Sequence, residues 1–369
     1  MIILRKSLSN IIGWNTTRKI IVIESDDWGS IRTRSKVDLE KIVKNDIEIF
    51  SNHFIKNDAL ESNADLSNLF EILNRHKDKN GNSVVFTPMS IMANPDFERI
   101  QKNGFNEYFY ENFTETYKKY HNSNNVHNLW QEGINNRLFV PGLHGREHLN
   151  VKAWMDALKN KNKGMLFAFE HGTIGISSTK NQFIPEHLAA FYPHSTEEIE
   201  TYHQIITDAS DIFLKSFNFN ACHFVGPNKE PVKILDKTMA SLGIQYMTVS
   251  KLRKHPLGNN KNGFELNWLG RKNEFGQIML TRNCSFEPSS STNVDCVNSC
   301  LKEIENAFFW HKPAIISSHR VNYVGRINQE NAEKGLKDLD NLLFLIIKKW
   351  PQVEFMTSTE LGALMKSNI

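Results

Sequence analysis

The sequence predicts an α/β barrel, a closed parallel sheet covered by helices. Three observations carry this. Apolar β-branched runs alternate with helical patterns through most of the 369 residues. The repeats number roughly seven, which favours a barrel over a doubly wound sheet. No Gly-x-Gly-x-x-Gly follows any of the strand-like runs, which weighs against a dinucleotide fold. A chain of this length can form one elaborated barrel or two domains. No interdomain linker, internal repeat or low-complexity segment stands out, so one barrel domain over 1–369 is expected.

The elements follow in order. Ile20–Ile23 is the first strand, and Glu24-Ser25-Asp26-Asp27-Trp28-Gly29 ends it. Residues 36–75 read as a helical insert. Val84–Thr87 is a strand ended by Pro88. Residues 95–135 read as a second helical insert, starting at Asn94-Pro95. Leu138–Val140 is the third strand, and Pro141-Gly142 ends it. Ala153–Leu158 is a helix, Met165–Phe169 an apolar run, and Thr196–Phe217 a long helix. Ala221–Val225 is a strand stopped by Gly226-Pro227-Asn228, Lys233–Leu242 a helix and Ile244–Val249 a strand. Residues 251–276 read as a hairpin or loop. Ile278–Thr281 is a short strand, Val294–Trp310 a helix and Ala314–Ser317 a strand. Asn331–Lys349 is a helix and Val353–Met356 the last strand. Thr357-Ser-Thr-Glu360 is a capping box opening the final helix.

Composition excludes several classes. Apolar residues at 40% and charged residues at 23% are those of a soluble globular protein. A net charge of +3 without any Lys/Arg block gives no nucleic-acid footprint. No window approaches 18 apolar residues, so no membrane span is expected. Residues 1–13 are too short and polar for a secretory leader and lack an Ala-x-Ala site. Cys222, Cys284, Cys296 and Cys300 make no Cys-x-x-Cys pair. They read as reduced packing residues, and the expected compartment is the cytoplasm. Oligomeric state is not readable.

In a barrel the active site lies at the C-terminal ends of the strands. Asp26 and Asp27 follow the first strand, His144 and His148 the third, Asn228 the next, and His319 the strand at Ala314. Two adjacent carboxylates after a buried strand repel and need a cation, a hydrogen bond or a proton. Read alone, the pair also suits a solvated loop with Asp26 as a helix cap. His144 and His148, spaced i and i+4, lie on one face of a helical turn, where both can reach one ion. With one carboxylate they leave an open coordination position. His319 suits a general acid, or a histidine bonded to a loop carbonyl.

Asp26-Asp27, His144-x-x-x-His148, Phe224-Val225-Gly226-Pro227-Asn228 and Ser318-His319 stand in the order seen in metal-dependent polysaccharide deacetylases. The chain resembles that family, the carbohydrate esterases of family 4, between about residues 18 and 360. The resemblance implies a distorted (β/α)7 barrel. It implies Asp26 as general base, Asp27, His144 and His148 as ligands of one divalent ion, usually zinc, and His319 as general acid. The implied substrate is an acetylated glycan or amino sugar, with removal of its acetyl group, and no nucleic acid or membrane is involved. Trp28, Pro227, Asn228 and Arg320 are the candidate substrate contacts, Trp28 by stacking on a sugar or else by packing in the core.

The chain also departs from the family pattern. Glu24 is an additional acid. The family arginine that steadies the base is missing before Pro227, with Arg146 or Arg320 as candidate substitutes. The Asp-x-x-Asp-Trp element that tunes the acid has only Asn267-Trp268 as a poor match. Two rivals follow. One is a degenerate barrel that binds glycan without turnover. The other is an inverted zinc peptidase, in which His144-x-x-Glu147-His148 lies within a long helix and Glu147 is the base.

Overall fold

The computed structural model describes residues 10–44, 53–174, 178–179, 182–183, 187–228, 231–259, 261–290 and 295–367. The leader expectation for residues 1–13, and parts of the insert expected over 36–75, fall largely or partly outside these residues.

The parallel sheet comprises β1 (Lys19–Trp28), β2 (Phe86–Ile91), β3 (Gly142–Gly145), β4 (His223–Val225), β5 (Tyr246–Thr248), β6 (Ile278–Leu280), β7 (Cys284–Ser285), β8 (Ala314–His319) and β9 (Val353–Phe355). The pairing runs β6-β5-β4-β3-β2-β1-β8-β7, with β9 joined to the start of β1. The two ends of this order, β6 and β7, are consecutive in the chain and only three residues apart. Residues 278–285 therefore form one broken stave that pairs first with β5 and then with β8. It closes the sheet into a barrel of seven staves, as the sequence predicts.

Strand alternation sorts β1 between two cores. Ile21 and Ile23 pack outward with Phe86, Leu143, Phe224, Met247 and Ile316 against the helical layer. Ile20 and Val22 face inward with Ile278, Leu280 and Ile315. Leu361 and Met365 of the last helix (Ser358–Ser367) join this inner cluster and plug the barrel. Continuing the inward line, Glu24 and Asp26 also enter the barrel interior. That placement is unusual for carboxylates and sets up the site.

The helical layer includes α1 (Asn63–Arg75), α2 (Val126–Asn135), α3 (Glu198–Phe217), α4 (Cys296–Phe309) and α5 (Gln329–Lys349), and the plugging helix is α6 (Ser358–Ser367). The expected capping box is present: Glu360 N–H donates to Thr357 Oγ1 at 3.0 Å and Thr357 N–H to Glu360 Oε2 at 2.8 Å. Leu252–Gly258 pairs antiparallel with Lys261–Leu266, the expected hairpin.

Several boundaries differ from the sequence expectation. β1 continues through the Asp pair, because β2 and β8 supply pairing on both edges beyond Ile23. Pro88 sits inside β2. It faces Ser25, where the β1–β2 register shifts, so its missing N–H falls at an interruption of the ladder. Ala93–Pro95 is a short strand paired with Tyr110–Asn112, and the helix after it is capped by Asp96. The third stave begins at Gly142, beyond the Leu138–Val140 run, which makes only an isolated bridge from Phe139 to Phe86. Among the described residues, no helix is long and apolar enough to cross a membrane.

Candidate active site and metal centre

The two neighbouring carboxylates separate at a backbone irregularity. Asp26 is in register with His319 on β8. Asp27 has φ 79°, a left-handed value rare for a residue with a side chain, and the β1–β2 register slips here. The strain turns Asp27 out of strand alternation and toward β3. The two carboxylates thus serve different partners instead of repelling across one pocket.

Asp27 Oδ1 lies 3.0 Å from His148 Nε2 and 3.6 Å from His144 Nε2. His144 is on β3 and His148 in the loop after it, so the expected helical turn is not what joins them. Gly145, at φ 135°, redirects the chain between them. His144 Nδ1 donates to the Val225 carbonyl at 2.8 Å, which leaves Nε2 as the lone-pair nitrogen facing Asp27. Candidate ligand atoms of Asp27, His144 and His148 all lie within 4.8 Å of one another, and all three residues are buried. Donors about 2.0 Å from one tetrahedral ion stand roughly 3.3 Å apart, between the two distances seen. Burial pushes the Asp27 carboxyl up, but His148, His144 and Arg32 outweigh it and hold it well below the usual carboxylate range. Burial lowers the His148 imidazole, which favours the neutral, ligating form.

Asp26 is gripped by Arg282, whose Nη2 reaches Oδ1 at 2.6 Å and Nη1 reaches Oδ2 at 2.7 Å. Arg282 comes from the break in the closing stave, between β6 and β7. Its Nε donates to Glu24 Oε2 at 2.6 Å. Glu24 is held in turn by Thr248 Oγ1 (2.8 Å) and Ser358 Oγ (2.6 Å). Glu24 and Asp26, two residues apart on the inward line, therefore bind the same guanidinium. Burial alone would raise Asp26, but Arg282 outweighs it and the carboxyl stays ionised below its ordinary range.

His319 Nε2 lies 3.8 Å from Asp26 Oδ2, and its Nδ1 bonds Glu287 Oε1 at 2.5 Å. Burial works against the imidazolium, yet the Glu287 hydrogen bond and charge prevail and raise the group to about 9. Asn322 Nδ2 donates to Glu287 Oε2 at 2.8 Å and fixes that carboxylate. Phe54 stands edge-on to the His319 ring, with centroids 4.9 Å apart. The His319 side chain is 26% exposed, against 3% for Asp27 and 8% for Asp26, so solvent reaches the cluster from this side.

The structure thus brings together Asp26, Asp27, His144, His148 and His319. Other expectations fail. Trp28 is fully buried; its Nε1 donates to Ser25 Oγ and its ring meets Phe139 edge-on, so no face is free for a sugar. Arg320 is also fully buried, paired with Asp58 and Glu61, and is neither a substrate contact nor the partner of Asp26. Arg146 is no substitute either, since it pairs with Glu147 and Asp208. Glu147 is tied up in that pairing, off any helix and outside the Asp27–His144–His148 group, which removes the peptidase reading. Pro227 is buried beside Gly145, which leaves it no surface for a sugar, while Asn228 is exposed with φ 61° on the loop after β4.

Sequence reasoning missed Arg282 and Glu287. Arg282 sits one residue after the strand expected to end at Thr281, and Glu287 lies between that strand and the helix expected from Val294, in a stretch assigned no element. The available signal was Glu24: an acid on the inward line of a buried strand demands a cation from another stave.

The charges around the site fit a divalent cation. Glu24, Asp26 and Glu287 pair with Arg282 and the His319 imidazolium, and Asp27, Asp58 and Glu61 pair separately with Arg32 and Arg320. Six carboxylates against four cations leave two negative charges, which one divalent ion would neutralise.

The chain is similar in fold to several solved structures. One is a candidate polysaccharide deacetylase of Mycobacterium smegmatis, at 10% identity, 97% of this chain, 93% of that one and TM-score 0.48. Another is a 4-alpha-glucanotransferase of Thermococcus litoralis, at 11% identity, 93% and 40% coverage and TM-score 0.45. A third is a CE4 family pseudoenzyme of Bacillus anthracis, at 10% identity, 94% and 66% coverage and TM-score 0.39. No protein-family model and no curated protein matches the chain. The likeness is one of fold, and the chemistry rests on this chain's own side chains.

Proposed function

We propose that this chain is a divergent, metal-dependent deacetylase that hydrolyses an acetyl group, most simply an N-acetyl, on a glycan or amino-sugar intermediate. The observation that carries this reading is the division of labour between neighbouring carboxylates. Asp27 faces two imidazole Nε2 atoms, while Asp26 faces a guanidinium and a protonated histidine. Asp27, His144 and His148 would hold one divalent ion, zinc by the character of two imidazoles and one carboxylate. Such an ion supplies Lewis acidity, polarising an acyl carbonyl and lowering the pKa of water.

The remaining steps belong to the chain. Asp26, oriented by Arg282, accepts the proton of the attacking water. The low pKa makes Asp26 a weak base, one that suits water already acidified. His319 carries its proton on Nε2, because Nδ1–H is committed to Glu287. It delivers that proton to the leaving nitrogen as the C–N bond breaks, giving acetate and a free amine. Asn228, exposed on the loop after β4, forms the sugar-side rim in this reading. The four cysteines are all free, which fits action in a reducing compartment such as the cytosol.

The test is acetate release from N-acetylated chito-oligosaccharides and N-acetylglucosamine by zinc-loaded protein. Turnover should vanish with chelator and return with added metal. Asp27→Ala and His148→Ala should lose both bound ion and activity. Sugar binding without acetate release at full metal loading would overturn the enzymatic reading in favour of a binding barrel. Full metal retention by both variants would overturn the site.

A further inference from the structure

The Asp27 oxygen turned away from the histidines is already taken. Arg32 Nη2 donates to Asp27 Oδ2 at 3.1 Å, while Oδ1 faces His144 and His148. Arg32 is itself braced. Its Nε reaches Asp58 Oδ2 at 3.4 Å, and its guanidinium lies over the Phe54 ring, 5.6 Å from the centroid. Asp58 is locked by Arg320, with both contacts at 3.0 Å. Arg320 also reaches the Ser30 carbonyl at 2.6 Å and Glu61 Oε2 at 3.0 Å. Arg32 and Asp58 are almost wholly buried, so this arm cannot swing aside without leaving a charge unpaired in the interior.

We propose that Arg32 restricts Asp27 to a single ligating oxygen and thereby sets which ion the site accepts. The inference rests on the reading that Asp27, His144 and His148 hold a divalent ion. Zinc is satisfied by three protein donors near 2.0–2.1 Å in a tetrahedral arrangement. Manganese prefers six oxygen-rich positions, for which a two-oxygen carboxylate is a natural donor. Tying Oδ2 to a fixed guanidinium denies manganese that donor. It also sets a positive charge against the ligand and weakens every divalent ion, so selectivity is gained against affinity. Removing the guanidinium frees Oδ2 and should favour the larger, oxygen-seeking ion more.

The experiment titrates metal-stripped full-length protein with Zn2+ alone and Mn2+ alone, by calorimetry or competition with a chromophoric chelator. Wild type, Arg32→Gln and Arg32→Lys are compared, with thermal unfolding as the check on folding. The ratio of zinc to manganese affinity should fall about tenfold or more in Arg32→Gln, the scale seen when a ligand's hydrogen-bond partner is removed. Arg32→Lys should fall in between, since one ammonium cannot brace Asp27 and Asp58 together. Because lysine keeps the charge, that variant carries the test if the glutamine variant does not fold. An unchanged ratio in the folded variants overturns the role of Arg32 and leaves the deacetylase reading intact. Failure of wild type to bind either ion overturns both.

Discussion

Asp26 and Asp27 are adjacent, both buried and chemically identical, yet their surroundings give them different partners. The sharpest consequence falls on His319. Glu287 raises its imidazole to about 9, so it is in the acid form through neutral pH and loses the proton as pH rises through about 9. The acetate-releasing kcat/KM of wild type should therefore be flat through neutrality and decline on the alkaline side near pH 9. Glu287→Gln removes the carboxylate that raises the group, so the decline should move to lower pH. A pH–rate profile of both proteins checks this, and identical alkaline limbs would exclude His319 as the acid. The pairing also shows what could be read from residues alone. Asp26, Asp27, His144, His148 and His319 were legible as a set, because each stands near a strand end. Their counter-ions were not. Arg282 and Glu287 reach the site from the closing stave and the loop after it, and Arg32 from the loop after β1, where nothing in the sequence distinguishes it from a surface arginine.

Elements, not residues, hold His319 in place. His319 ends β8, and the Arg320–Asn322 turn after it carries the Asn322 that fixes Glu287. That turn lies directly against α5. A Cβ on Gly335 would overlap the Asn322 carbonyl oxygen. Two effects of Gly335→Ala can be weighed. Helix propensity alone would stabilise α5 by roughly 1 kcal/mol. Overpacking against a backbone carbonyl costs about 1–3 kcal/mol and shifts the turn. Overpacking should win, so denaturant melts should show a net loss of stability. A net gain would mean that α5 can slide without cost. Boundaries misread from sequence have the same origin. The Ile and Val run stops at Ile23, but β2 and β8 extend pairing to Trp28. The His144–His148 spacing suits a helical face, yet Gly142–Gly145 is needed as the third stave, and tertiary pairing overrides local pattern.

At the scale of the whole molecule, the strand ends and the loops beside them hold two buried ion-pair groups that together carry two negative charges in excess. A divalent ion relieves that excess, so it should stabilise the fold as well as the chemistry. At free zinc about 100-fold above Kd the linkage is worth about 2.7 kcal/mol. Thermal unfolding with zinc and with chelator should then differ by several degrees in wild type and hardly at all in Asp27→Ala. Equal melting temperatures in wild type would contradict a resident ion. The barrel class itself was readable because alternation of strand and helix is a local signal repeated along the chain. The manner of closure was not, since the seventh stave is split into two short strands, one of only two residues.

The placement of β1 also bears on how the chain is born. Its first strand is flanked by β2, but its other edge waits for Ala314–His319, and Lys19 pairs with Val353 near the far end of the polypeptide. The guanidinium that neutralises Glu24 and Asp26 arrives only with residue 282. A ribosome therefore releases a strand with two uncompensated acids and an open edge long before their partners are translated. Pairings this distant in sequence close slowly. Until they do, the nascent chain exposes a stretch rich in isoleucine and valine, and the strand that carries the adjacent carboxylates is secured late.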